Sequence, residues 1–287
     1  MTFWLNGEFR DGAAAIDIAD RGFLLGDGVF ETFLLVDGRP AFRAAHLKRL
    51  RAGAEALRIE ANIDDAEIDA AIEELASRNG AAAGTASARL TLTRGPGTRG
   101  LAPVKSGARP TLLLTAADYA LPDETLAARL IVSRYRRSEH SLAARHKTLN
   151  YLDNVMAREE AAAAGADDAV MLNGAGRAAC ASAANIFLIR DGAVATPPLD
   201  EGAMPGIVRA VLLDRAKAAG IGIAEAPVRL EDLRDSTLFL SNSLIGLRAA
   251  SLGEGRRQDE AAQQILRTLK SCYAEALSSD LAKRAAG

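Results

Sequence analysis

Cysteine is scarce in this chain: Cys180 and Cys272 are the two among 287 residues. Two thiols so far apart make no disulfide framework and fit a reducing compartment. Positive charge is not in excess either. The 35 Lys and Arg face 37 Asp and Glu, a net charge of −2. Bulk charge therefore provides no field for gripping a phosphate backbone and argues against a nucleic-acid partner. No run of about 18 uncharged apolar residues occurs, so no membrane span is expected. The N-terminus, MTFWLNGEFRDG, has no basic region followed by an apolar run, so no signal peptide is expected and the cytoplasm is the expected location. No internal repeat is visible, and no G-x-G-x-x-G joins a strand pattern to a helix pattern, so a Rossmann sheet is not expected. What is present is 49% hydrophobic and 25% charged residues, the profile of a soluble globular protein. The length suffices for one large domain or two ordinary ones.

Hydrophobic patterning predicts an α/β chain. Phe30 to Val36 (FETFLLV) is a strand closed by Asp37-Gly38, a hairpin signal. Leu47, Leu50, Ala54 and Leu57 fall on one face of a helix beginning near Arg43. A second helix is predicted over Asp64 to Arg78, followed by strands Ala86 to Thr93 and Thr111 to Thr115. Between those strands lies RGPGTRGLAP, Arg94 to Pro103, whose Gly and Pro content is that of a loop. The polar, aperiodic stretch 117–125 is predicted to be a linker between a domain at 1–116 and another at 126–287. In the second part, helices are predicted from Tyr151 to Ala164, Ile207 to Ala219 and Asp259 to Leu277. Strands are predicted at Leu130 to Ser133, Ala169 to Leu172, Asn185 to Ile189 and Thr237 to Leu240, with Asp191-Gly192 a further hairpin signal.

Several side chains could carry chemistry. Lys147 sits in RHKTLNYLDN, just before a helix, and a lysine amine can form a Schiff base with an aldehyde cofactor. A lysine picked at random is a solvated surface group, and local context alone does not overturn that. Gly206, Ile207 and Val208 open a helix after Pro205. Backbone N–H groups at such a start make an anion site, and glycine permits close approach, though an ordinary helix start reads the same way.

The motifs GDGVFETFLLVDG, AAHLKRL, RHKTLNYLDN, ASAANIFLI, MPGIVR and SNSL occur in that order. Together they resemble the class IV aminotransferases, the fold type IV pyridoxal-phosphate enzymes, over about residues 3–250. That family includes branched-chain and D-amino-acid aminotransferases and aminodeoxychorismate lyases. The resemblance implies two α/β domains with pyridoxal 5'-phosphate between them, no metal site, and a homodimer with a shared active site. Lys147 would hold the cofactor as a Schiff base and then move the substrate proton. Arg49 would bind the cofactor phosphate, which suits a guanidinium fork. Gly206, Ile207, Val208, Asn242 and Ser243 would add phosphate donors, and Tyr151 would meet the phenolic oxygen. Glu31 and Arg99 are the substrate-side candidates, Arg99 for a carboxylate. Where D-amino-acid aminotransferases carry a histidine two residues after that arginine, this chain has Leu101.

The main departure is Cys180, five residues before Asn185, where relatives carry a glutamate that pairs with the pyridine nitrogen. Either the sink is weaker, or another carboxylate substitutes, or the usual activity is lost. A thiolate in this role is left open. Three functions follow. The first is amino transfer between a small amino acid and a 2-oxo acid. The second is an aminodeoxychorismate lyase releasing pyruvate and 4-aminobenzoate, favoured by the RGL sequence at 99–101. The third is a cofactor-binding protein with little catalysis, motivated by Cys180.

Overall fold

The computed structural model describes residues 1–102, 109–253 and 259–285. The chain divides into two units. One comprises Met1–Leu121, His146–Asn150 and Asp280–Gly287; the other comprises Pro122–Arg145 and Tyr151–Ser279. Five residues around Lys147 thus belong with the N-terminal unit, although they follow the start of the second in sequence.

The first unit contains β1 (Thr2–Leu5), β2 (Glu8–Asp11), α1 (Arg21–Leu25), β3 (Gly28–Val36), β4 (Arg39–Pro40), α2 (Arg43–Ala56), α3 (Asp65–Arg78), β5 (Thr85–Thr93) and β6 (Thr111–Asp118). Its six strands form one sheet in the order β2-β1-β6-β5-β3-β4, antiparallel in every pairing. Asp37 and Gly38 both take positive φ, the two-residue turn whose twist matches the flanking strands. Asn6-Gly7 closes β1–β2 in the same way. The helix predicted from the Leu47 spacing is α2, with Leu57 just past its end as the C-cap. In α3 the buried residues Ile68, Ala71, Ile72, Leu75 and Ala76 line one face. Asp64 caps it by accepting from Ala66 and Glu67 N–H. These faces close over Trp4, Phe33, Leu35, Leu90 and Leu92 of the sheet, one hydrophobic core. β6 continues to Asp118, into the stretch expected to be linker. The Arg94–Pro103 segment carries neither helix nor strand as far as Ala102, and Pro103 lies outside the described residues.

The second unit contains β7 (Ala128–Val132), α4 (Leu142–Arg145), α5 (Leu152–Ala163), β8 (Asp168–Leu172), β9 (Ala178–Ala181), β10 (Asn185–Arg190), β11 (Ala193–Thr196), α6 (Ile207–Ala218), β12 (Ile223–Glu225), α7 (Leu230–Arg234), β13 (Thr237–Asn242), β14 (Gly246–Leu252) and α8 (Glu260–Ala285), the last as far as Ser279. Eight strands run in the order β12-β11-β10-β13-β14-β7-β8-β9. Three pairings are parallel, β11 with β12, β14 with β7 and β7 with β8. The sheet is therefore mixed, and the chain as a whole is α/β with two sheets. Phe187 and Phe239 stack at 4.7 Å across β10 and β13.

Candidate active site

In the first unit the site is built on β3. One edge of β3 pairs with β5 along its whole length. At the other edge β4 covers only Leu35 and Val36. Segment 146–150 takes the opposite end of that edge. Phe30 N–H donates to the Lys147 carbonyl at 2.9 Å, Leu149 N–H donates to the Gly28 carbonyl at 2.9 Å, and Val29 bridges Thr148. Asn150 adds a side-chain bond to the Gly26 carbonyl at 3.1 Å. Gly28 makes this approach possible. A Cβ there would stand 2.5 Å from the Leu92 carbonyl oxygen and 2.8 Å from the Leu149 side chain. Lys147 is thus fixed by its backbone, half-buried, with Nζ 4.2 Å from the centroid of the Phe30 ring. A cation against an aromatic face is attracted by the ring quadrupole. The Arg89 guanidinium lies 3.7 Å from the same ring. Arg89 escaped the sequence reading, although its place in the alternating pattern of β5 marks it as an outlying cation on that strand.

Glu31 points into α2. It is fully buried, and its carboxylate accepts from Arg49 Nε at 2.7 Å and Arg49 Nη2 at 2.6 Å, a side-on bidentate pair. His46 Nδ1 lies 2.7 Å from Oε2. Burial pushes the Glu31 carboxyl up, but the Arg49 charge and hydrogen bonds, together with His46, outweigh it and bring the group from 4.5 down to about 2. Burial pushes His46 down; the Glu31 carboxylate opposes this, while the Arg49 and Lys147 cations reinforce it. The ring is therefore neutral and donates Nδ1–H to Glu31. Glu31 was expected on the substrate side. Its carboxylate is fully buried and orients the Arg49 guanidinium, because a carboxylate with no exposure needs a cation beside it. His46 was not singled out from the sequence; it lies one turn before Arg49 in HLKR, and that spacing was the available signal.

Arg99 is exposed, on the loop after β5. The near limb of that loop is tied down by Arg94, which donates to Asp27 and to the Leu57 and Arg58 carbonyls.

In the second unit, Gly206 is the N-cap of α6 and has no side chain to satisfy the first turn. The side chains of Ile207 and Val208 are buried, so only their backbone N–H groups could meet a ligand, at the positive end of the helix. A Cβ on Gly206 would stand 2.0 Å from Asn185 Oδ1, so a larger residue there would displace the Asn185 side chain. Asn185 holds the turn by donating to the Met204 carbonyl at 2.8 Å and pairs with Ser241 across the β10–β13 ladder. The Ser241 hydroxyl is buried and has no hydrogen-bond partner among the described residues. Asn242 shapes the next turn. Its Oδ1 accepts from Leu244 and Ile245 N–H, and its Nδ2 donates to the Ala183 carbonyl. The Asn242 side chain is thus engaged in shaping this turn. Ser243 follows in the same turn. Tyr151 is half-buried at the N-cap position of α5, and its side chain does not cap that helix.

Cys180 is buried on β9 opposite Met171, among Ala157, Ala161 and Ala169. Burial pushes its thiol up, and Arg137 opposes this only in part. The thiol is neutral, which removes the thiolate left open by the sequence. The carboxylate felt by Cys180 is Asp168. It accepts from Ser182 N–H at 3.0 Å, from the Ser182 hydroxyl and from Ala169 N–H, and lies 3.3 Å from Arg158.

The family model of amino-transferase class IV matches residues 28–252. The chain is a class IV aminotransferase family member. A Methanocaldococcus jannaschii protein, provisionally assigned as a branched-chain-amino-acid aminotransferase, is 36% identical over 237 residues, 81% of each chain. The 4-amino-4-deoxychorismate lyase of Pseudomonas aeruginosa is 30% identical, with a TM-score of 0.80 over 94% of this chain and 98% of that one. A hypothetical aminotransferase of Mycobacterium tuberculosis, solved with pyridoxal phosphate bound, shares the fold at 24% identity, with a TM-score of 0.81 over 98% and 100%. Class IV aminotransferases are pyridoxal-phosphate enzymes, and the residues of this chain fit that cofactor. It needs an amine to bond its aldehyde and anion donors for its phosphate. Among the described residues, the first unit offers an amine in the backbone-fixed Lys147 and a guanidinium in Arg49, and the second unit, taken by itself, offers the α6 start and the unpartnered Ser241 hydroxyl.

Proposed function

We propose that this enzyme moves an amino group between a small amino acid and a 2-oxo acid, with Lys147 as its catalytic residue. The observation that carries this reading is the backbone strapping of Lys147 to β3, with its amine against Phe30. When bound, pyridoxal phosphate supplies an aldehyde that condenses with amines and a ring that accepts electrons from the substrate α-carbon. Lys147 first holds that aldehyde. Once released, its amine would take the proton from the substrate α-carbon and deliver it to the cofactor carbon that carried the aldehyde. Arg49, oriented by Glu31, is assigned to hold the phosphate. In the second unit the Ile207 and Val208 N–H groups, reached past Gly206, and the turn at Asn242 and Ser243 are assigned to the same phosphate. Tyr151 is assigned to the phenolic oxygen, and Arg99 to the substrate carboxylate.

We assign the working form as a homodimer. Ile18, Phe23, Leu24 and Leu101 are exposed apolar side chains on α1, its lead-in and the loop that carries Arg99. A second copy of the chain covering them would bring Arg99 to a neighbouring site. A cytoplasmic location is supported by two free thiols. The test is a half-reaction. Holoenzyme is mixed with D- and L-amino acids and no acceptor, and the cofactor absorbance is followed. Conversion to the amine form of the cofactor supports transfer and identifies the preferred enantiomer. The second reading, the lyase, is favoured by Leu101 in RGL. It predicts no conversion, and pyruvate release from aminodeoxychorismate without an acceptor.

A further inference from the structure

We infer that Arg21 is a positioning residue that sets the loop bearing Arg99. This rests on the proposed role of Arg99. Gly100, Leu101 and Ala102 lie in no strand, bridge or helix, so their carbonyls lack ladder partners. Arg21 supplies them. Its Nη1 donates to the Gly100 carbonyl at 3.0 Å and the Ala102 carbonyl at 3.4 Å, and its Nη2 donates to the Leu101 carbonyl at 2.9 Å. One planar guanidinium thus spans three consecutive peptides directly after Arg99. A lysine ammonium is a point charge and cannot present that fork.

The clamp is itself anchored. Arg21 is 5% exposed, and its Nε donates to Asp27 at 2.9 Å. Asp27 also accepts from Arg94 at the loop's near limb, so one carboxylate joins the two limbs. The backbone around Arg21 runs along the near limb as well. Arg21 N–H donates to the Gly95 carbonyl, and Gly97 N–H donates to the Ala19 carbonyl. Asp20, fully buried, accepts from the hydroxyls of Thr93 and Thr111, which end β5 and begin β6. α1 is therefore fixed to both strands that flank the loop. From there Arg21 reaches the far limb and sets where the Arg99 guanidinium stands. Tight placement of a carboxylate-binding group affects substrate capture more than the chemical step.

The test compares wild type, Arg21→Met, Arg21→Lys, Arg99→Met and the Arg21→Met/Arg99→Met double variant, all as holoenzyme. Trypsin cuts after Arg99, so cleavage of the Arg99–Gly100 bond, read by mass spectrometry, reports the clamp directly. Arg21→Met is expected to speed that cut about tenfold. It should raise KM for the amino donor about tenfold with little change in kcat and an unchanged cofactor absorbance band. Arg21→Lys keeps the charge next to Asp27 and should restore the melting temperature, but not resistance to trypsin. The double variant should have the KM of Arg99→Met alone. An unchanged cleavage rate overturns the clamp. Multiplying KM effects overturn its action through Arg99. If Arg99→Met leaves KM unchanged, the Arg99 reading falls, and the trypsin result decides the clamp by itself.

Discussion

Replacing Glu31 by Gln keeps the shape of a fully buried side chain and removes its charge. Arg49 then faces a neutral amide where it had two short charge-assisted bonds, at 2.7 and 2.6 Å. The depression of the Glu31 group from 4.5 to about 2 measures how strongly the fold prefers the charged form, roughly 3 kcal/mol. The sign follows from the direction. A carboxylate lowered by folding stabilises fully above its unfolded value, near 4.5, and that stabilisation is lost as pH falls toward 2. Glu31→Gln should therefore be less stable than wild type by roughly 3 kcal/mol at pH 7, and the gap should shrink by about 1 kcal/mol at pH 4. Trp4 is the single tryptophan and lies in the core of the first unit. Its fluorescence in urea titrations thus reports the unit that holds Glu31. The same variant should bind pyridoxal phosphate more weakly, because Arg49 loses its fixed orientation. A gap equal at both pH values, or a variant as stable as wild type, would refute the assignment of Glu31 as the support of Arg49.

Lys147→Ala should abolish the visible absorbance of bound cofactor after free cofactor is removed, with far-ultraviolet circular dichroism unchanged. Gly206→Ala should cost about 1–3 kcal/mol, since the new Cβ meets Asn185 Oδ1 and a packed site resists an added methyl; thermal melts of apoenzyme measure it. A thiol reagent should modify Cys272 in the native protein and reach Cys180 only on unfolding, because Cys180 is buried and its thiol is held neutral.

The long, strongly periodic elements were readable in advance. α2 and α3 declare themselves by their apolar spacing, and β3 by its unbroken FETFLLV. Both DG turns were readable because aspartate and glycine tolerate the left-handed backbone that such turns require. β9 was not. Its sequence, AACA, has no β-branched or aromatic residue, and alanine has little strand preference of its own. It is a strand because every side chain is buried next to β8, a tertiary cause that a local window does not contain. The site shows the same division. The motif around Lys147 was legible as a motif, but not its stitching to β3, which joins residues more than a hundred positions apart. Glu31 was legible as a charged residue in a strand. Its burial against Arg49 and His46 was not, because pairing across a strand and a helix leaves no periodic trace.

The return of residues 146–150 to the first unit has a consequence for synthesis. When a nascent chain has emerged only as far as Leu121, the N-terminal sheet has its strands but β3 is open at Gly28, Val29 and Phe30, an unpaired edge able to recruit other chains. Among the described residues, that edge is sealed by the segment carrying Lys147. The lysine proposed as catalytic thus belongs to the stretch that finishes the sheet. A fragment ending before it would be both inert and adhesive.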